Sequence, residues 1–323
     1  MKLRRLYELI VKFGIEQDPR RGKLDEYFRS VKKEYRKLRG VEKACFDKEA
    51  FKNPFADTRI LYGGHEIEVK KILLGIDIDA AEILLADKLR EKEGLDLVIA
   101  HHPAGIAYAG LFEVMRVHSF ILHKLGLRKD IADDAVGERI SEVSRKISPA
   151  NHSRPVDAAR LLDMPFMSIH TPADNFVARY LKVLIDKNKP KKVKDVLSLL
   201  YKIPEYREAA ANKSGPKIIL GKPNDKAGKV FVDMTGGTEG PKDIFARLSQ
   251  AGVNTLVCMH LSEEHFLKAK PEHINVIIAG HIASDVIGLN LILDKIEAQE
   301  KLEIIGCSGF KRIRRSKSGP DLF

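Results

Sequence analysis

The pattern of apolar and polar positions changes about 65 residues into the chain. Before that point, apolar residues recur three or four positions apart, and this spacing predicts helices. After it, short apolar runs alternate with amphipathic stretches, as is typical of parallel α/β sheets. The runs that we predict as strands are KKILLGI (70–76), LDLVIA (95–100), PFMSI (165–169), KVFVDM (229–234), NTLVCM (254–259), INVIIAG (274–280) and LEIIGC (302–307).

This alternation predicts an α/β fold with mostly parallel sheets and flanking helices. We expect two related α/β halves, preceded by an N-terminal helical extension. Changes in composition suggest where the parts begin and end. The parts are a helical extension over 1–64, a first α/β half over 65–190, a linker or insert over 191–228, a second α/β half over 229–310 and a basic tail over 311–323.

Composition excludes several classes of protein. Cys45, Cys258 and Cys307 are isolated from one another, which argues against a disulfide scaffold and against zinc held by thiolates. The most apolar run, residues 276–292, is interrupted by His281 and Asp285, so we expect no membrane span. The basic N-terminus lacks the apolar segment of a signal peptide. We therefore expect a cytoplasmic protein.

The net charge of +11 comes entirely from the two ends of the chain. Residues 1–40 carry a net charge of +7 and residues 311–323 carry +4, so the body between them is neutral. One interpretation is contact with a nucleic acid through the basic ends, above all through KRIRRSK at 311–317. The other is a solvated helix face followed by a frayed tail, and we favour this second interpretation.

Three predicted strands run directly into histidines. Because ligands bind at the carboxyl ends of parallel strands, these side chains are expected at one edge of the fold. Imidazole and carboxylate groups bind Zn, Fe or Mn, and a protein core has little other use for ionisable groups repeated at one rim. The pattern therefore indicates a metal centre. The strand ends carry His101-His102-Pro103, His170 followed by Asp174, and His281 followed by Asp285.

The same segments resemble those of the Nif-three-like family, whose members are also labelled GTP cyclohydrolase I type 2 homologues. The resemblance covers residues 70–310. It implies two divalent metal ions and a homo-oligomer, often a ring of six. The segments are LLGIDID with Asp77, DLVIAHHP (96–103), SIHTPADN (168–175) and IIAGHIASD (277–285). The ligands that the resemblance implies are His101, His102, a bridging Asp174, His281 and Asp285.

The resemblance also places His170 beside the metal ions, where it would orient a ligand or the substrate, and we expect His260 to face the same cavity. The family commonly has Glu at the position of Asp285, whose side chain is one methylene shorter. The segment 111–163 is longer than in the family, and its histidines are not assigned to the site. These histidines are His118, His123 and His152.

A glycine-rich segment, TGGTEG at 235–240, follows the predicted strand KVFVDM. One interpretation is a loop whose backbone N–H groups bind an anion. The other is a tight turn between a strand and a helix, which needs the glycines equally. The family resemblance favours a loop that lines the cavity.

These features predict a metal-dependent hydrolase. A water bridging two ions would be deprotonated near neutral pH and attack the substrate, while Asp174 or Asp285 carries the proton. The small-molecule substrate is unknown, and a phosphoester, a cyclic amide or a nucleotide such as GTP fits equally. The alternative is a non-catalytic metal-binding, metal-delivery or regulatory protein. We expect contact with nucleic acid only through the basic ends, if at all.

Overall fold

The computed structural model describes residues 1–315. Within them, nine strands form two sheets, and fifteen α-helices surround these sheets. The strands are β1 (Arg59–Tyr62), β2 (Lys71–Gly75), β3 (Leu97–Ala100), β4 (Phe166–Ser168), β5 (Lys217–Leu220), β6 (Lys229–Asp233), β7 (Val253–Cys258), β8 (Asn275–Ile278) and β9 (Glu303–Cys307).

The helices follow the predicted amphipathic stretches. They are α1 (Leu3–Gln17), α2 (Leu24–Lys37), α3 (Gly40–Ala44), α4 (Ala80–Glu93), α5 (Gly105–Ala109), α6 (Leu111–Val114), α7 (Val117–Leu125), α8 (Lys129–Ile147), α9 (Arg154–Leu161), α10 (Thr171–Asn188), α11 (Val193–Leu200), α12 (Pro204–Ala211), α13 (Phe245–Gln250), α14 (Glu263–Ala269) and α15 (His281–Glu297). None of these helices combines the length and the apolar character that crossing a membrane requires.

The two sheets repeat one strand order. The first sheet has the order β1-β4-β3-β2-β9, and the second has the order β5-β8-β7-β6. The edge strands β1 and β5 are antiparallel to their neighbours, and all other pairs are parallel. Strands β1 to β4 therefore correspond to β5 to β8. This confirms the predicted α/β architecture in two related halves.

The sheets divide the chain differently from the sequence analysis. Strand β9, which we had placed in the second half, pairs in parallel with β2 of the first sheet, from Lys71 opposite Glu303 to Gly75 opposite Cys307. The apolar run of β9 shows a strand but carries no information about its partner. The segment expected to be a helical extension supplies β1, and the segment expected to be a linker contains α11, α12 and β5.

Helices α10 and α15 occupy equivalent places in the two halves, since they follow β4 and β8. Side chains from both helices lie in one hydrophobic core with those of α1 and of both sheets. The two helices approach very closely at Gly288, where a Cβ atom would be 2.2 Å from the carbonyl oxygen of Ala173. This contact places the first turn of α10 against the second turn of α15.

The first residues of the predicted basic tail are held by carboxylates. Arg312 is paired with Asp294 and Glu297, and Arg315 is 2.8 Å from Glu205. Residues 311–315 are therefore not frayed, contrary to the interpretation that we favoured. The rest of that tail, residues 316–323, lies outside the described part of the chain.

Candidate metal centre

The predicted strand ends meet between the two sheets. His101 and His102 continue from β3, and their backbone N–H groups donate to the carbonyl oxygens of Gly75 and Ile76, each at 2.9 Å. His170 is the residue before α10, and His281 is the first residue of α15.

The potential ligand atoms form three groups, within each of which all atoms lie within 4.8 Å of one another. All five residues implied as ligands belong to at least one group, and His170 joins them as a third neighbouring imidazole. The groups are His101 with His102 and His170, His102 with His281 and Asp285, and His101 with Asp174 and Asp285.

Asp285 lies at the middle of these groups because its two oxygens face different neighbours. Its Oδ1 is 3.5 Å from Nε2 of His101, which is in turn 3.5 Å from Oδ1 of Asp174. Its Oδ2 is 3.5 Å from Nε2 of His102 and 3.6 Å from Nε2 of His281. The shorter side chain of Asp285 therefore reaches both sets of neighbours.

Several buried polar atoms at this place have no hydrogen-bond partner among residues 1–315. A buried polar atom without a partner is costly, and native structures contain few of them. Here they converge on one point, as the donors of a metal site do. The atoms are Nε2 of His101, Nε2 of His102, Oδ1 of Asp174, and both Oδ1 and Oδ2 of Asp285.

His101 and His102 each have an oxygen acceptor at Nδ1, the ring nitrogen opposite the unpartnered Nε2. The Nδ1 atom of His101 is 2.9 Å from the carbonyl oxygen of Ile169, and that of His102 is 2.7 Å from Oδ1 of Asp77. The Nδ1–H groups donate to these oxygens, so the Nε2 lone pairs point into the centre. Metal-binding histidines are usually oriented in this way.

His170 is held by an acid that the sequence analysis did not identify. Its Nδ1 is 2.9 Å from Oδ2 of Asp57, which is fully buried and also accepts a hydrogen bond from the hydroxyl of Thr171. The residues lie 113 positions apart, and Asp57 precedes β1 in the segment that we predicted to be a helical extension. No signal in the sequence connects the two.

Burial and neighbouring charges shift the pKa values of the ionisable groups of the centre in different directions. Burial raises the pKa of Asp174 well above its usual value. Burial alone would also raise the pKa of Asp285, but the surrounding imidazoles lower it instead. Burial alone would lower the pKa of His102, but Asp285 and Asp77 raise it to about 9. For His281 burial prevails and lowers the pKa to about 4.

A comparison with solved structures fits this arrangement. The NIF3 superfamily protein from Sphaerobacter thermophilus is 30% identical, and the match covers 79% of this chain and 92% of that one with a TM-score of 0.68. The chain belongs to the NIF3 superfamily. This membership agrees with the resemblance found in the strand-end motifs, and the fold is the one that the family implied.

Two other solved structures are less similar to the chain than the Sphaerobacter protein is. Reduced HcgD from Methanocaldococcus jannaschii is 18% identical, with 76% of this chain and 87% of that one covered and a TM-score of 0.44. TTHA1606 from Thermus thermophilus is 15% identical, with 87% and 96% covered and a TM-score of 0.45. Neither a protein-family model nor a curated protein matches the chain.

The centre of this NIF3 superfamily protein opens into a cleft of about 690 Å³. His102, His170 and His281 line the cleft together with His260. The ring of His260 lies 4.9 Å from that of His281, and its Nδ1 is 3.4 Å from Oε1 of Glu239. His260 thus lies next to one implied ligand and outside all three groups.

The glycine-rich segment also lines a narrower cavity of about 80 Å³, which shares Gly237 and Thr238 with the cleft and is lined by Asp174 and Asp285 of the centre. Gly236 and Gly237 have positive φ angles, +104° and +82°. A Cβ atom on Gly236 would lie 2.4 Å from Nε2 of His118, and one on Gly237 would lie 2.7 Å from Val114. Close packing on α6 and α7 therefore accounts for these glycines, while the loop lines the cavity as the resemblance implied.

The histidines behind this loop have protein partners. His118 lies in the long segment that we left unassigned, and its Nε2 contacts the carbonyl oxygen of Thr238 at 3.0 Å. His265 contacts Oγ of Ser262 through Nδ1 and the carbonyl oxygen of Gly240 through Nε2. We interpret these two histidines as structural.

Proposed function

We propose that this NIF3 superfamily protein is a hydrolase that depends on two divalent metal ions. The two oxygens of Asp285, each facing its own donor set, are the observation that carries the proposal. Donors bound at about 2.1 Å by one tetrahedral ion lie about 3.4 Å apart. The donor pairs around Asp285 are 3.5–3.6 Å apart, close to that spacing.

In this proposal Asp285 is the bridging carboxylate. His101 and Asp174 would hold one ion together with Oδ1 of Asp285, and His102 and His281 would hold the other together with Oδ2. The resemblance had implied Asp174 as the bridge, and the donor distances support Asp285 instead. The set contains nitrogen and oxygen but no sulfur, which suits Zn, Fe or Mn.

Bound ions of this kind would lower the pKa of a water molecule and polarise the bond to be cleaved. The chain supplies the proton transfers. Asp174 is buried beside His170, and burial raises its pKa in the metal-free protein, so an ion bound there would displace its proton. The Nδ1–H of His170 is fixed by Asp57, so its other ring nitrogen, Nε2, would be the proton acceptor.

The charge of the cleft bears on the substrate. Among the described residues that line it, Arg154 is the only guanidinium or ammonium group, and it is paired with Asp79 at 2.9 Å. A triphosphate would bring several negative charges to a lining that offers few cations. A cyclic amide or a singly charged phosphoester is therefore the substrate class that we favour over GTP.

Elemental analysis followed by an activity panel tests the proposal. We expect two equivalents of metal per chain and hydrolysis of at least one cyclic amide or phosphoester after loading with Zn, Fe or Mn. His101→Ala and His281→Ala should each lose metal and activity. His65→Ala is the matched control, because His65 is exposed and belongs to none of the three groups.

Two results would count against the proposal. A His101→Ala protein that retains two equivalents of metal would contradict the ligand assignment. A wild-type protein with both ions bound and no activity across the panel would favour the metal-binding or regulatory alternative. The homo-oligomer remains a proposal as well, and light scattering on the purified protein tests it.

A further inference from the structure

A second charged surface lies on helix α2, outside the metal centre. Its last three turns carry basic residues at the spacing i, i+3, i+4, i+7 and i+8, which places them on one side of a helix. All five are exposed. We call them the α2 stripe: Arg29, Lys32, Lys33, Arg36 and Lys37.

The opposite side of α2 packs onto the protein and fixes the orientation of the stripe. Leu24 and Val31 are buried. The ring of Tyr35 contacts the rings of Phe46 and Phe51, with centroids 4.9 and 5.2 Å apart. The helix therefore turns its apolar side chains inward and presents the five cations to solvent.

The cations of the stripe are not neutralised within the described chain. No carboxylate oxygen of residues 1–315 lies within 4.0 Å of any of the five side-chain nitrogens. Asp25 and Glu26 lie on the same face one turn before the stripe, and Glu34 lies at its edge, but none of the three is within ion-pair distance of the five cations. By contrast, every base of residues 311–315 is paired with a carboxylate.

The two basic regions therefore differ. KRIRRSK was the main segment of the polyanion interpretation that we did not favour, and its described cations already have intramolecular partners. The uncompensated charge of the basic N-terminal region is instead arranged along one rigid helix face. Favourable interaction with the helix dipole accounts for a base or two in the last turn, but not for five along three turns.

We propose that the α2 stripe binds the phosphate backbone of a nucleic acid. Its eight-residue spacing corresponds to a rise of about 12 Å, which is matched by three or four phosphates of one DNA strand at about 3.4 Å per phosphate. We assign the five cations to phosphate contacts, which carry no sequence information, so the proposed binding is independent of sequence. Three or four contacts give weak, strongly salt-dependent affinity.

An anionic membrane is the other polyanion of this kind, and the structure favours the nucleic acid. Helices that bind membranes insert aromatic and aliphatic side chains into the bilayer while cations contact the headgroups. On α2 the ring of Tyr35 packs on other parts of the protein, and Tyr27 and Phe28 are half-buried and contact each other. The stripe itself contains only charged side chains.

Fluorescence anisotropy with a short labelled DNA duplex tests this proposal on the full chain. We expect log Kd to change with log salt concentration with a slope of about 3, measured between about 50 and 200 mM KCl. The variant Lys32→Glu/Lys33→Glu/Arg36→Glu should lose at least tenfold in affinity and most of this slope. The neutral variant Lys32→Gln/Lys33→Gln/Arg36→Gln should show a smaller loss in the same direction, and circular dichroism should show that both are folded.

The matched control is Lys187→Glu/Lys194→Glu/Lys202→Glu, which makes the same change in net charge at exposed lysines outside α2. We expect it to retain the wild-type slope. An equal loss of affinity in the control would mean that net charge alone determines binding, and this would overturn the proposal. Three other results would also overturn the proposal. They are unchanged binding in both stripe variants, loss of binding when residues 316–323 are removed, and a preference for phosphatidylserine vesicles over DNA. These outcomes do not depend on the metal centre.

Discussion

The beginnings of helices α10 and α15 occupy equivalent positions in the two halves, and each carries histidine and aspartate four residues apart. His170 and Asp174 follow β4, whereas His281 and Asp285 follow β8. Their surroundings differ. His170 is buried against Asp57, but the side chain of His281 is 40% exposed. Asp174 has a raised pKa, whereas the imidazoles around Asp285 lower its pKa.

The difference shows how one backbone arrangement provides two chemical roles. Asp285 is surrounded by three imidazoles at 3.5–3.6 Å and stays ionised, which suits a ligand shared between two sites. Asp174 has fewer neighbours of this kind and favours the protonated state in the metal-free protein. The strand order fixes where both acids lie, and the neighbouring side chains decide what they do.

The largest effect should come from removing the shared acid. Asp285→Ala deletes a donor from two of the three groups, so we expect loss of both ions, with affinity reduced by about a hundredfold or more. Asp174→Ala leaves His102, His281 and Asp285 in place and should retain one ion. Metal analysis after dialysis measures both. Equal losses in the two variants would mean that the two acids are interchangeable.

The next largest effect should come from a substitution at Gly288, where α15 contacts α10. In Gly288→Ala the new methyl group meets a backbone carbonyl that cannot rotate away, so we expect a loss of about 3 kcal/mol in the free energy of unfolding. Gly137→Ala in α8 is the control, because a Cβ atom there meets nothing within 4 Å. It should gain up to about 1 kcal/mol.

Urea unfolding followed by circular dichroism distinguishes these two glycines. Gly288→Ala should also bind metal more weakly, since Asp174 and Asp285 would move apart. A Gly288→Ala protein as stable as the wild type would show that α10 and α15 separate at no cost.

The hydrogen bonds that buried Asp57 accepts from His170 and Thr171 should contribute somewhat less to the free energy of unfolding. Asp57→Ala leaves the Nδ1–H of His170 and the hydroxyl of Thr171 without an acceptor, so we expect a loss of about 2 kcal/mol in unfolding free energy. Asp57→Asn keeps one acceptor oxygen and should lose about half as much. Thermal unfolding of both variants without metal measures this. A larger loss for Asn than for Ala would contradict the proposed hydrogen bonds.

The last prediction concerns the pH dependence of metal affinity. His102 has a pKa of about 9 in the metal-free protein, because Asp285 and Asp77 oppose the effect of burial. Metal binding requires the neutral imidazole, so a proton must leave. Metal affinity should therefore rise with pH up to about 9, by up to tenfold per unit, or about 1.4 kcal/mol.

Competition with a chromophoric chelator at several pH values measures this rise. Asp77→Asn removes one of the two carboxylates that raise the pKa of His102, so its curve should level off at a lower pH. An affinity independent of pH between 6 and 9 would show that His102 is already neutral before metal binds.

The sequence predicts the meeting of the strand ends because parallel strands share one edge. It also places His281 and Asp285 on one side of a helix start through their four-residue spacing. Asp57 could not be found in this way, since its contact with His170 depends on tertiary packing between distant segments. The return of β9 to the first sheet is equally hidden, because an apolar strand fits either sheet. The side-chain rotamers that split the two oxygens of Asp285 are not encoded in any local pattern.

Strand β9 has a consequence for biosynthesis. Among residues 1–315 it is the last strand in chain order, yet it covers one edge of β2, whose residues after Lys71 are all buried in the finished sheet. While the nascent chain is still on the ribosome, this apolar edge stays open until the entire second sheet has emerged. Such an edge invites pairing with other chains. The protein should therefore depend on chaperones during its synthesis more than its finished stability suggests.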